Sequence, residues 1–225
     1  MKQRLLALLL CFTILLMAAP AWASSVLDAR LSSWPEWNLP SPLPRPSNGD
    51  DLVYPSWFEG LWQVESLDLD DPDAPPLIHQ ARFSPDADGR LVGDRAFNAL
   101  AIGQALLGDQ LLRVEDDPDS ANRQMAQLKG DLRLETSVTG RRQETLDDGS
   151  FLADELVLQI LHAPGPPRLS RIETLSLYKR CDVDICADQW QARYAAPGQT
   201  LRDRAVATHR YRLRFTPLPG SAPST

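Results

Sequence analysis

The chain predicts an all-β domain with one short helix, folded as a single lipocalin-like antiparallel barrel of about 8–10 strands. Three observations carry that expectation. Apolar and polar residues alternate along most of the chain after Gly60, turn dipeptides punctuate the runs, and a Pro-rich lead-in stops abruptly at Tyr54-Pro55-Ser56-Trp57-Phe58-Glu59-Gly60-Leu61-Trp62-Gln63-Val64. A two-sheet β-sandwich is the alternative reading of the same pattern.

Strict alternation marks strands with one dry and one wet face. Trp62 and Val64 alternate with Gln63 and Glu65, and His79, Ala81 and Phe83 with Gln80 and Arg82. The same period holds for Leu132 to Val138, for Trp190, Ala192 and Tyr194, and for His209, Tyr211, Leu213 and Phe215. Further strands are expected near residues 111–114, 123–128, 155–162 and 171–179. Asp88-Gly89 and Asp148-Gly149 supply the positive φ of tight hairpins, while Asp117 to Ser120 and Pro164 to Pro167 read as longer loops. One segment breaks the period: Asp94 is placed to cap a helix running to Leu107, with Gly108 ending it.

The ends are of a different kind. Lys2 and Arg4, an apolar run from Leu5 to Met17 and small residues at Ala21-Trp22-Ala23 predict a secretory signal peptide over 1–23. Residues 24–53 read as a Pro-rich linker, 54–216 as the barrel domain and 217–225 as a disordered tail. Trp34 and Trp37 are unusual in a spacer and either pack back on the domain or meet a partner. Cleavage would remove Lys2 and Arg4 and no acid, making a chain of net charge −7 more acidic by two. That balance excludes nucleic acid and anionic membrane surfaces as partners, and no later apolar run is long enough to span a bilayer. Export makes a Cys181–Cys186 disulfide the expected state of the remaining cysteines. A metal site or a CxxC redox pair fits their spacing less well.

Two resemblances follow. Gly60-Leu61-Trp62 is similar to the Gly-x-Trp opening of the lipocalins and fatty-acid-binding barrels, in which a basic residue of the last strand packs across the Trp. Arg210, Arg212 or Arg214 would supply it, although the Thr-Asp-Tyr element of lipocalins is missing. Over nearly the whole chain, Pro55 to Val64, Gly93-Asp94-Arg95-Ala96-Phe97-Asn98, Asn122-Arg123-Gln124, Val138-Thr139-Gly140-Arg141, Glu144-Thr145 and Tyr211-Arg212-Leu213 occur in order. This resembles an uncharacterised, signal-bearing family of cyanobacteria and chloroplasts. The resemblance implies a thylakoid-lumen or periplasmic address and a photosynthetic host, and brings no activity.

Chemistry is sparse. His79, His162 and His209 are scattered, and the nucleophile elbow, the H-E-x-x-H helix and the P-loop are absent. The groups Asp68 to Asp73 and Glu115 to Asp119 lack the ligand spacing of a calcium loop and read as solvated loop ends. No catalytic residue, metal or cofactor is therefore predicted. The stripe Arg210, Arg212, Arg214 reads first as a wet face paired with acids and second as a carboxylate or phosphate site. Trp62, Arg95, Asn98, Arg123, Arg141, Glu144, Tyr211 and Arg212 are the candidate ligand-binding residues.

The expected function is a non-catalytic soluble protein of the lumen or periplasm that binds a small apolar or amphiphilic ligand in the barrel. The alternatives are an assembly factor for a photosynthetic membrane complex, using Trp34, Trp37 and the Arg-bearing turns, and a barrel-based enzyme centred on His79 or His209.

Overall fold

The computed structural model describes residues 25–196, 198 and 204–219. The signal peptide expected over 1–23 and the end of the tail, 220–225, lie outside the described residues.

Alternation is realised as ten antiparallel strands in one sheet. In chain order they are β1 (Gly60–Asp68), β2 (Leu77–Pro85), β3 (Leu91–Gly93), β4 (Leu111–Asp117), β5 (Ser120–Leu128), β6 (Leu132–Thr145), β7 (Phe151–His162), β8 (Arg168–Cys181), β9 (Asp184–Tyr194) and β10 (Ala205–Pro217). Their order across the sheet is β3-β2-β1-β10-β9-β8-β7-β6-β5-β4. The sheet curls into a half-barrel. The ring of Phe58 alone touches Phe83 on β2 at 4.9 Å and Phe151 on β7 at 6.2 Å, strands that lie far apart in the sheet. One continuous sheet replaces the two-sheet alternative.

Among the described residues, two α-helices accompany the sheet. The expected one, α2 (Arg95–Leu107), begins where the Asp94 carboxylate accepts from the Phe97 N–H and ends at Gly108 with φ 58°. It touches both β2 and β4, so it spans the opening between the two edges of the curled sheet. The other, α1 (Val26–Ser32), ends ahead of Pro35 within the span expected to be linker; Ser25 caps it by accepting from Asp28 N–H at 2.9 Å.

The lead-in packs against the domain, with Trp37 1% exposed. Each face of the sheet consequently carries a dry patch. On the outer face α1 and the following residues bury Leu27 and Trp37 against Leu152, Leu175, Trp190, Ala192 and Tyr194. On the inner face Leu52, Tyr54 and Phe58 plug the half-barrel against Trp62, Val64, Phe83, Phe151, Ile185, Leu213 and Phe215. The chain crosses from one face to the other beside β6. There a bulge between Val138 and Gly140 breaks the ladder, and Arg141 N–H donates to Pro44 C=O at 2.9 Å.

The hairpin β8–β9 turns at Asp182, φ 59°, and is closed by the expected Cys181–Cys186 disulfide. The link from β4 to β5 is tighter than the sequence promised, because Asp117 pairs directly with Ser120. Among the described residues, no helix is long and apolar enough to cross a membrane.

Candidate functional site

Period two decides which side chains enter the curl. On β7, Phe151 and Ala153 belong to the inner core and Leu152 to the outer one, so Glu155 and Val157 also point inward. Their register partners Thr174 on β8 and Arg141 on β6 share that face.

Four charged residues meet there. Arg141 donates from Nε to Glu155 Oε1 at 2.6 Å and from Nη1 to Asp50 C=O at 2.7 Å. Arg95, from the first turn of α2, donates from Nε to Asp51 Oδ1 at 2.7 Å and from Nη2 to Glu155 Oε1 at 3.2 Å. Burial opposes the charge on Glu155, but Arg95 and Arg141 prevail and hold its carboxyl below the usual carboxylate range. Burial likewise opposes the Arg95 charge, and Glu155 and Asp51 outweigh it. One donor is left over: Arg141 Nη2 is sealed from solvent without a hydrogen bond, 3.8 Å from Asp51 Oδ1.

Two cavities adjoin this cluster. The first, about 160 Å³, lies among Asp51, Leu52, Arg95, Asn98, Gln124 and Glu155. The second, about 230 Å³, lies beyond Leu52 and Tyr54. Its wall is Leu52, Val157 and the Tyr54 and Tyr178 rings, and its floor includes Thr174, Ser176 and Gln189. Burial raises the pKa of both tyrosines, Tyr54 most strongly, so both are neutral phenols.

The candidate residues separate into three groups. Arg95, Asn98 and Arg141 converge as a unit. Asn98 acts by positioning: its side chain accepts from Arg82 N–H at 2.7 Å and donates to Arg82 C=O at 3.0 Å, fastening α2 to β2. Trp62 and Tyr211 face inward, Trp62 as core, with Nε1 donating to Phe58 C=O at 2.7 Å. Arg123, Glu144 and Arg212 lie elsewhere. Arg123 pairs with Asp117 at 3.2 Å near the β4–β5 turn, and Arg212 with Asp188 at 3.4 Å on the outer face. Glu144 accepts from Arg142 at 2.7 Å; burial raises its pKa, but Ser25 at the start of α1 and Arg142 carry it below the usual range.

The arginine stripe behaves as a wet face. Arg214 donates to Asp184 at 2.6 Å, and Arg210 lies 5.6 Å above the Trp190 ring. It does not pack across Trp62, because alternation sends Arg210, Arg212 and Arg214 outward from β10 while Trp62 points inward from β1.

The histidines are not sealed in the apolar core. His79 is half-buried, with its pKa lowered by burial and its ring against Gln80 C=O at 3.1 Å. His162 sits 3.4 Å from Glu135. The side chain of His209 is 46% exposed and lies 3.7 Å from Asp68 at the rim of the curl. Asp68, Asp70 and His209 bring their donor atoms within 4.8 Å of one another there, in a corner open to water.

Asp51, Tyr54, Glu155 and Thr174 were missed in the sequence. Glu155 carried one usable signal, an acid next to Asp154 in a largely apolar strand.

With this geometry in place, a family described as a domain of unknown function (DUF6816) matches residues 47–219. The chain belongs to that family. No curated protein matches it. The DUF6816 span begins inside the lead-in, so it contains Asp51, the Leu52–Phe58 plug, Arg95, Arg141 and Glu155. It leaves out α1.

Proposed function

We propose that the protein is a non-catalytic carrier that holds a small amphiphilic ligand in the inner trough of the half-barrel. One observation carries this reading: the plug stops short of filling the curl. The remaining space has apolar walls at Leu52 and Val157 and hydrogen-bonding groups at Thr174, Ser176 and Gln189. Apolar lining with a few convergent polar groups is the usual form of a small-molecule site. The cavity of about 230 Å³ is small, so it would take a headgroup and the first part of a chain.

The ionisable groups beside it favour binding over turnover. Glu155 is committed to two arginines, which leaves it a poor general base. The Ala21-Trp22-Ala23 site and the disulfide favour export of the mature chain, to a thylakoid lumen or periplasm of a photosynthetic host. On this reading 1–23 is a signal peptide and 54–216 is the barrel domain, with a lipocalin-like mode of carriage.

Native mass spectrometry of protein purified from its own host tests the proposal. A retained small molecule of lipid, pigment or quinone type is expected. Ligand-free protein that also fails to bind any member of a lipid panel would refute it.

A second reading, as an assembly factor for a membrane complex, is favoured by the apolar outer side of α2. Ile102, Leu106 and Leu107 are exposed there beside Leu112. Co-migration with photosystem subunits on native gels would support it.

A further inference from the structure

We infer that the trough selects an amphiphile with an uncharged, hydrogen-bonding headgroup and rejects both carboxylate and ammonium headgroups of the same chain length. This rests on the carrier reading above and specifies what that site takes. The argument begins with charge. Arg95, Arg141, Asp51 and Glu155 sum to zero, and their ion pairs run among themselves at 2.6 to 3.2 Å. Asp51 and Glu155 are already neutralised by the two arginines. A carboxylate entering beside Glu155 would meet an anion first and no free cation. An ammonium would meet a carboxylate whose charge is already balanced. Either ion would lose its water without gaining a counter-charge, and an unpaired charge in such a site is heavily disfavoured.

The cavity does supply groups for a neutral head. The Thr174 hydroxyl lines it with no hydrogen-bond partner in the described structure, and the Gln189 amide accepts from Ser176 Oγ at 3.3 Å, which leaves its N–H₂ to donate. The Tyr54 and Tyr178 phenols are kept neutral by burial. Arg141 lines neither cavity and its Nη2 is sealed, so it offers no cation to a charged head. Arg193 shares the inner face of β9 but is exposed and lies outside the cavity lining.

The test is a competition assay with three probes of one acyl chain: a monoacylglycerol, the free fatty acid at a pH where it is ionised, and the alkylamine. The full exported chain is used, and a fluorescent lipid is displaced. The monoacylglycerol should bind at least ~10-fold more tightly than either ion, about the difference one poorly paired charge makes. Two variants sharpen the result. Glu155→Gln frees Arg95 and Arg141 and should bring the fatty acid to parity or better. Gln189→Lys puts a cation on the floor one strand beyond Thr174, the register partner of Glu155, and should do the same if the first variant fails to fold. Equal or tighter binding of the acid or the amine by the unaltered protein would overturn the headgroup inference and leave the carrier reading standing. A fatty-acid affinity that neither folded variant raises would overturn it too. Failure of all three probes to bind would overturn the carrier reading and this inference with it.

Discussion

Arg30 and Glu173, separated by 143 residues, form a two-point ion pair in which the guanidinium donates to both carboxylate oxygens at 2.8 and 2.6 Å. The pair fastens α1 to β8 beneath the outer surface. Glu173 is fully buried, Ser41 and Tyr194 donate to it as well, and Arg30 lies 4.7 Å over the Trp37 ring. Removing one partner leaves the other charge buried alone, which costs about 3–5 kcal/mol. Arg30→Ala is therefore expected to lose that much in urea unfolding and to make the segment around Trp37 sensitive to protease. Arg30→Met with Glu173→Met should recover most of the loss, because apolar residues can occupy the same volume.

Beside this pair, Asp154 is fully buried, and its hydrogen-bonding neighbour is the Glu173 carboxylate, to which only a protonated Asp154 can donate. Burial first, and the Glu173 charge second, push its pKa well above the carboxylate range, against the opposing pull of Arg30. The folded protein thus holds a proton that the unfolded chain releases near pH 4. Stability linked to Asp154 is full below that pH and declines as pH rises toward the folded pKa. Asp154→Asn keeps the shape and cannot ionise. Its stability relative to the unaltered protein should therefore grow from pH 5 to pH 8, by about 1–3 kcal/mol. Chemical denaturation at both pH values checks this, and parallel profiles would refute it.

Gly140 sits where the lead-in crosses the sheet. A Cβ there would lie 2.9 Å from Leu43 Cβ and 3.5 Å from the Leu43 carbonyl oxygen, so the crossing chain must move. Gly140→Ala should cost about 1–3 kcal/mol through overpacking. The loss should be accompanied by faster cleavage between Pro40 and Pro46, measured by limited proteolysis. Gly49→Ala, in the same lead-in but with open space around its position, is the control and should leave cleavage unchanged.

Period and punctuation made most of the sheet legible. The capping pair of Asp94 and Gly108 placed α2 almost to the residue, because each acts through its nearest backbone. β3 escaped, since three residues carry no period. The use of both faces escaped too. Trp190, Ala192 and Tyr194 read as a dry face, as they are, but only the packed lead-in makes that the outer face while Leu213 and Phe215 dry the inner one. At the site, Arg95, Asn98 and Arg141 were visible as polar residues near turns. Their counter-charges were not: Asp51 is 44 residues from Arg95, and only the curl brings Glu155 between the two arginines. Arg123 and Arg212 look the same in sequence as Arg141, and strand parity alone places them away from the trough.

Trp62 ties the first strand to the plug, and the consequence can be measured. Its Nε1 donates to Phe58 C=O at 2.7 Å in a buried setting, while Phe58 itself is inaccessible and packs on Trp57, Phe83, Tyr178 and Phe215. Trp62→Phe retains an aromatic ring but strips the carbonyl of its donor, a loss of about 1–3 kcal/mol for a buried group left unpaired. The plug carries Leu52 and Tyr54, which wall the trough, so loosening it should enlarge the cavity as well as lower stability. A shift of the thermal midpoint downward together with weaker binding of the displaced fluorescent lipid is expected from Trp62→Phe. Ile102→Ser, on the exposed side of α2, should change neither, which separates a plug that shapes the site from a general effect of surface substitution. An unchanged lipid affinity in a clearly destabilised Trp62→Phe protein would show that the trough is shaped independently of the Phe58 anchor.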